Sequence, residues 1–394
     1  MRERSYSVGH RGYRPASPGE KPMDATHEYR WHARAYPVTA MWPLVPPLME
    51  DEIISSWLVR CALAQGCDPL TLTGSLWPEM RYWCTDPDRG AKGDQLVKLA
   101  EASGISATIL EGSTLTPVQR ALTGAAEFPK GVTPWILCLG MQNRRRCGGL
   151  QYCPQCFLEG AAHYRIQDRL SWHTVCSVHQ VTLLDRCECC DAPLCPQMLE
   201  PPETGLTRCH RCRFELTLAS TTAADMKALR FQQAADELLC GNPQMYGEEP
   251  LLISDWFYLS KWMVGVLRSA ERARSLCTKG FFADFGINFD VLIAPATGLP
   301  FEYLKPEDRA RLLANVWLIL QAGPERFVQG AARECIAPSL FPRLPENAPA
   351  CLTTLISELR ALHKRAATSK KIEAPRSQKS VLMRWQRLLR KIQR

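Results

Sequence analysis

Four short runs decide how this chain is read: CPQC at 153–156, CSVH at 176–179, CECC at 187–190 and CHRC at 209–212. Each places two metal-ligand side chains three positions apart, and 19, 7 and 18 residues separate the runs. That spacing lets both side chains of a tight turn point at one ion, and a tetrahedral zinc needs two such turns brought together by a loop. The series parses into two sites, Cys153, Cys156, Cys176 and His179, then Cys187, Cys190, Cys209 and Cys212. Cys189 is an alternative to Cys190, although 187 with 190 keeps the two-residue gap, and Cys195 lies near. Cys147 and His173 could compete in the first site, but neither completes a pair. Both sets close at four protein ligands, whereas a catalytic zinc keeps an open position. Two structural zinc ions are the expected cofactors.

Working outward, the 394 residues suffice for two or three domains at roughly 150 residues each, and a hydrophobic fraction of 46% allows a real core. Residues 1–40 are polar, without the apolar run of a signal peptide. The most membrane-like stretch, LLISDWFYLSKWMVGVL at 251–267, is broken by Asp255 and Lys261. A reduced cytoplasmic setting therefore turns the paired cysteines into metal ligands rather than disulfides. The other cysteines (61, 67, 84, 138, 240, 277, 335, 351) read as buried small hydrophobes.

The net charge of +8 is uneven. Residues 363–394 hold eleven Lys or Arg against Glu373, so the remaining residues sum to −2. Within this tail, KSVLMRWQRLLRKIQR at 379–394 groups Val381, Leu382, Trp385, Leu388, Leu389 and Ile392 on one side of a helix and Arg384, Arg387, Arg390, Lys391 and Arg394 on the other. A terminal helix docked on its own core, a phosphate contact and a partner-docking helix all fit, a membrane surface least well. Arg144, Arg145 and Arg146 form a second candidate phosphate patch or a solvated linker.

The rest reads as mainly α, multi-domain, with small zinc-ribbon or zinc-knuckle β elements. Residues 1–37 are expected as a mobile extension, 38–146 as an N-terminal helical domain, 147–219 as the double zinc-binding module, 220–362 as a C-terminal helical domain and 363–394 as the basic amphipathic tail. Helices are expected at 49–66, 94–104, 220–241, 254–274 and 306–324, from cap residues, acidic starts, and Gly or Gly–Pro stops. The stretch LVKLAEASGISATILEGSTL at 96–115 fits a DNA-contacting helix-turn-helix or an ordinary helical hairpin. No His has Glu two residues later, as a zinc deaminase needs, and there is no HExxH and no phosphate-binding glycine–lysine loop. A non-catalytic protein follows.

The residues between the ligands resemble those of the TniQ family of transposition proteins, which includes TnsD-type target selectors. Tyr152, Leu170, Trp172, Leu183 and Leu184 stand where that family has its R-Y-C-P-x-C, L-x-W and C-x-x-H-x-x-x-L segments, and PPLMEDEIISSWLVRCA at 46–62 resembles its proline-rich lead into D-E-S-x-x-S-W-L-x-R. Ile53 replaces a Ser of that pattern, Cys189 is an extra cysteine, and residues 1–40 precede the usual start, which makes Met41 an alternative start. The resemblance implies a target-selection adaptor that binds target DNA, or an RNA-guided complex bound to it, and recruits an AAA+ regulator of the TnsC or TniB class. A homodimer is a further candidate partner, with the oligomeric state left open, and no membrane is expected. The alternative is a stand-alone zinc-containing helix-turn-helix regulator.

Overall fold

The structure is a computed structural model that describes residues 41–90, 93–139, 149–291, 298–346, 348–369 and 378–392. The extension at 1–37 therefore lies outside the described residues. The N-terminal part is helical: α1 (Ile54–Ala64), α2 (Pro69–Leu76), α3 (Gly93–Ser103), α4 (Ala107–Gly112) and α5 (Thr116–Thr123). The first helix starts later than its acids suggest. Glu52 instead forms an antiparallel bridge with Arg165, and the Ile53 amide donates to the Tyr164 carbonyl at 3.0 Å. The buried Glu52 carboxylate then accepts from Ser56 Oγ at 2.8 Å and Arg60 Nη1 at 2.6 Å, one and two turns into α1. Trp57, fully buried, donates from Nε1 to the Pro46 carbonyl at 3.0 Å. The proline-rich lead and the Trp of this motif thus close on each other.

Asp68 caps α2 by accepting from the Thr71 amide, with Pro69 at the first helical position. Gly104 ends α3 in the left-handed region, at φ +73°, and Ser106 caps α4. This gives helix, turn, helix, but α4 has six residues and no Lys or Arg. Its exposed residues include Thr108 and Ile109, flanked by Glu101 and Glu111. The second helix of the pair thus carries no basic side chain of its own, and Glu111 is paired with Arg120 of α5 at 3.6 Å.

The middle segment contains one short α-helix, α6 (Pro154–Glu159), and three 3-10 helices of three or four residues, and is otherwise turns and single bridges. The bridges Tyr152↔Leu184, Val175↔Thr182, Arg186↔Pro193 and Arg208↔Glu215 form the knuckle hairpins. Helices then return: α7 (Met226–Leu239), α8 (Ile253–Ala273), α9 (Leu276–Ala283), α10 (Pro306–Arg333), α11 (Ala350–Ser369) and α12 (Gln378–Ile392). The start of α7 falls six residues after the expected one. Residues 222–224 are held extended by pairing with the CSVH knuckle, Thr182 N to Thr222 O and Ala224 N to Gln180 O, both at 2.9 Å. Asp225 then caps the helix. A hairpin absent from the sequence reading, β1 (Gln244–Tyr246) and β2 (Glu249–Leu251), pairs Met245 with Pro250 around Gly247. The stop expected at Gly323–Pro324 is a sharp break within α10 rather than its end, since Gly323 leaves the helical region and Pro324 opens a second stretch. No helix among the described residues is long and apolar enough to cross a membrane.

The largest apolar core draws on all three segments, from Ile53 through Trp172 and Cys209 to Leu359, while α1 to α4 close a second core of their own around Trp57, Leu58, Leu72 and Leu99. The hub of the larger core is Trp135. That ring meets Trp172, Phe231, Phe257 and Phe301 with centroids 5.5–6.2 Å apart, and its Nε1 donates to the Phe257 carbonyl at 3.1 Å. Two buried arginines fasten the middle segment on either side. Arg169 pairs with Asp86 and Asp88 and donates to the Leu137 carbonyl at 2.9 Å. Arg309 of α10 donates to the Ser171 carbonyl at 2.5 Å and to Gln151 Oε1 at 2.7 Å. Each satisfies buried carbonyls that loop-rich backbone cannot pair by itself.

Candidate metal centres

Cys153 and Cys156 flank the start of α6, where Pro154 at the first helical position turns the chain tightly enough to aim both thiols one way. Cys176 and His179 come from the turn between the paired residues Val175 and Thr182. The ligand atoms of all four lie within 4.8 Å of one another, and so do those of Cys187, Cys190, Cys209 and Cys212. The second group is built the same way, from the turn closed by Arg186↔Pro193 and the turn closed by Arg208↔Glu215.

The separations test whether an ion fits. Metal–sulfur bonds of about 2.3 Å and metal–nitrogen bonds of about 2.05 Å in a regular tetrahedron put sulfurs about 3.75 Å apart and a sulfur about 3.55 Å from a nitrogen. In the first group Cys156 and Cys176 Sγ are 3.5 Å apart, and His179 Nδ1 lies 3.5, 3.3 and 3.5 Å from the sulfurs of Cys153, Cys156 and Cys176. In the second, Cys187–Cys212 is 3.6 Å and Cys190–Cys209 is 3.7 Å. Both groups can hold a tetrahedral metal ion, and each is closed by its own four side chains.

The surroundings favour the ligating form at His179, by orientation, and at Cys176 and Cys212, while neighbouring thiols push Cys156 up and burial pushes Cys187 up. His179 turns Nδ1 to the thiols because its Nε2 is engaged by Glu159 Oε2 at 2.8 Å, which fixes both tautomer and ring orientation. The Cys153 and Cys156 thiols hold Cys176 well below the usual thiol range, and the His179 amide adds a donor at 3.4 Å. The Phe214 amide does the same for Cys212, bringing it down to about 7. Behind the first group, burial pushes the Asp168 carboxyl up to about 7, while its Oδ2 accepts from the Arg165 amide at 2.9 Å.

Other sequence candidates fall elsewhere. His173 is a buried partner of Asp236 at 2.8 Å and belongs to neither group. Cys195 is buried away from the ligand set, and Cys190 rather than Cys189 completes the second group. The expectation that the remaining cysteines are buried holds for Cys61 and Cys138. It fails for Cys84, Cys240, Cys277 and Cys335, which are exposed at the ends of helices and in turns, where nothing packs over a short side chain. Arg384, Arg387 and Arg390 are exposed on α12, and so are Leu382, Trp385, Leu388 and Leu389, so the described part of this helix is not docked on the core. Arg144, Arg145, Arg146, Arg394 and Cys147 lie outside the described residues, as does the Lys391 side chain. Sequence reasoning missed Glu159, whose signal was an acid one turn past the Cys156 ligand.

No curated protein matches the chain. The match to known families takes in α1 through the first metal group and stops before the second: residues 43–183 match TniQ, a family of transposition proteins, and the chain carries a TniQ domain over that span.

Proposed function

We propose that this protein is a non-catalytic transposition adaptor that carries two structural zinc ions, binds target DNA or a DNA-bound effector complex, and recruits an AAA+ transposition regulator. The observation that carries the reading is the TniQ domain built around a closed Cys3His group. Zinc is the ion that a tetrahedral set of thiolates and one imidazole selects. Closed coordination supports a structural rather than a catalytic role, since no position is left for water or substrate. A cavity of about 540 Å3 between α8, α9 and the segment after α10 is lined by Arg272, Thr278, Cys277 and Cys335 and by no carboxylate or imidazole. The exposed arginines of α12 supply a phosphate-contacting face, while its uncovered apolar face suits a protein partner.

The test is reconstitution of the full chain with a target DNA and an AAA+ transposition regulator of the TnsC or TniB class. The regulator should assemble on DNA only when the chain is present, and metal analysis should return two zinc ions per chain. Replacing Arg384, Arg387 and Arg390 with Ala should weaken DNA binding and flatten its salt dependence, by about 0.9 in log–log slope for each phosphate that is no longer neutralised. Regulator assembly that ignores the chain would overturn the adaptor reading.

A further inference from the structure

We propose that α12 of one chain docks, by its apolar stripe and the arginines beside it, on the acidic face of the β1–β2 hairpin of a second copy. The proposal goes beyond the adaptor reading, which holds for one copy or two. The hairpin lies in a stretch of one sign: residues 231–260 hold Asp236, Glu237, Glu248, Glu249 and Asp255 and no Lys or Arg. Its two faces differ. Tyr246 and Leu251 are buried in the main core, whereas the paired Met245 and Pro250 face outward. Met245 is 51% exposed, and Leu252, next to the hairpin, is 71% exposed. Glu248 and Glu249 are exposed at the turn, and Gln244 donates to Glu237 on the flank at 3.5 Å. His173 engages Asp236. Glu237, Glu248 and Glu249 have no Lys, Arg or His partner among the described residues. The hairpin thus shows solvent an apolar patch bordered by three unpaired carboxylates.

The helix α12 carries the complement. Leu382, Trp385, Leu388 and Leu389 are exposed on it, and residues 374–394 hold seven Lys or Arg and no acid. Arg384, Arg387 and Arg390 have no carboxylate partner among the described residues. With about 3.6 residues per turn, Arg384 and Arg390 lie along opposite edges of the apolar stripe and Arg387 lies behind it. The edges can therefore meet the hairpin acids while Arg387 remains available to phosphate.

Every other occupant leaves part of this pattern without a use. Nucleic acid would satisfy the arginines and leave Trp385 and the leucines in water. An anionic membrane would take both and leave the hairpin acids unpaired. Two α12 helices laid on each other would set like charges face to face. A second copy uses both surfaces, which stay uncovered in the single chain although they belong to one molecule. A two-fold axis makes the contact twice, each chain giving a helix and receiving one. Burial of the stripe supplies affinity, and the charges fix which face the helix takes.

The full chain is measured by sedimentation equilibrium at about 0.1 M and about 1 M salt, between which the screening length falls from about 10 Å to about 3 Å. Wild type should be dimeric at the lower salt and weaken at the higher. E248K/E249K and, separately, R384E/R390E should each weaken the dimer by at least about ten-fold. Mixing these two variants should restore it, because each acidic helix then meets a basic hairpin and each basic helix an acidic one. That rescue also shows that both variants are folded. A monomeric wild type, single variants as dimeric as wild type, or a mixture that stays apart would overturn the proposal. So would a monomer that binds phosphatidylserine vesicles through α12 equally well with E248K/E249K, which would give the stripe to a membrane. Regulator assembly by a monomeric chain would leave the adaptor reading standing and strike this proposal alone.

Discussion

His179 presents Nδ1 to three thiols and Nε2 to Glu159, so one exposed carboxylate orients a metal ligand from outside the ligand set. Losing such a partner typically weakens metal binding by roughly 10–100-fold. E159A should therefore lower the affinity of the first centre by that order in a competition with a chelator and leave the second unchanged. E159Q, which keeps an oxygen acceptor, should recover part of the loss. Equal affinity in E159A and wild type would mean that the ring is held by the turn alone. Asp168 offers a second measurement at this scale. Burial raises its carboxyl from 3.8 to about 7 in the folded chain. A group whose folded value is raised contributes stability that is fully present below the unfolded value and is lost as pH rises through the folded one. Wild type should thus lose stability relative to D168N on going from about pH 5.5 to about 8, by on the order of 2 kcal/mol. The comparison uses urea unfolding of both proteins side by side, and parallel curves would mean that Asp168 is ionised throughout.

Helix ends divide into those set locally and those set from a distance. Gly104 and Gly323 stop or break their helices because each backbone position needs a conformation that other residues resist, and at Gly323 the following Pro324 also announces the break in the sequence. Gly323 sits at φ 78°, ψ 173°, a region almost reserved for glycine. A Cβ there would meet nothing nearer than the Gly247 amide nitrogen at 4.0 Å, so G323A should cost strain rather than crowding. The expected loss is about 1–3 kcal/mol in denaturant unfolding; an unchanged midpoint would show that the break in α10 can straighten at no cost. The starts of α1 and α7 are illegible for the opposite reason. Glu52 is taken by Arg165, and residues 222–224 by Gln180 and Thr182, partners about 40 residues away or more that no local pattern reveals. The β1–β2 hairpin leaves no mark because strands of three residues carry no alternation to read. The two groups that could hold a metal ion are legible because a two-residue gap within a turn is local chemistry. That Cys190 and not Cys189 completes the set depends on how the turn is folded.

Across the whole molecule the second metal group is joined to the main core, whereas Cys153 and Cys176 of the first sit in a small cluster with Val181 and Leu183. Cys187 and Cys209 are part of the same apolar core as Trp135, Phe257 and Phe327, and Arg169 and Arg309 bind the middle segment to the helices before and after it. The middle segment is mostly turns, with α6 its one α-helix, so it has little secondary structure of its own to survive on. Binding of a structural zinc is worth about 10–16 kcal/mol in small zinc-dependent folds, while whole domains are stable by only about 5–15 kcal/mol. Removing the ions should therefore abolish the folding of the middle segment outright. Because the core is shared, that loss should reach α7, α8 and α10 as well. The Trp135–Trp172–Phe257 cluster makes near-UV circular dichroism a direct reporter of this packing. A strong chelator should erase that signal across the chain in one cooperative step, and added zinc should restore it. If the chelated protein still melted with a separate transition from its C-terminal helices, the core would be two cores in contact, and the metal groups would stabilise only their own neighbourhood.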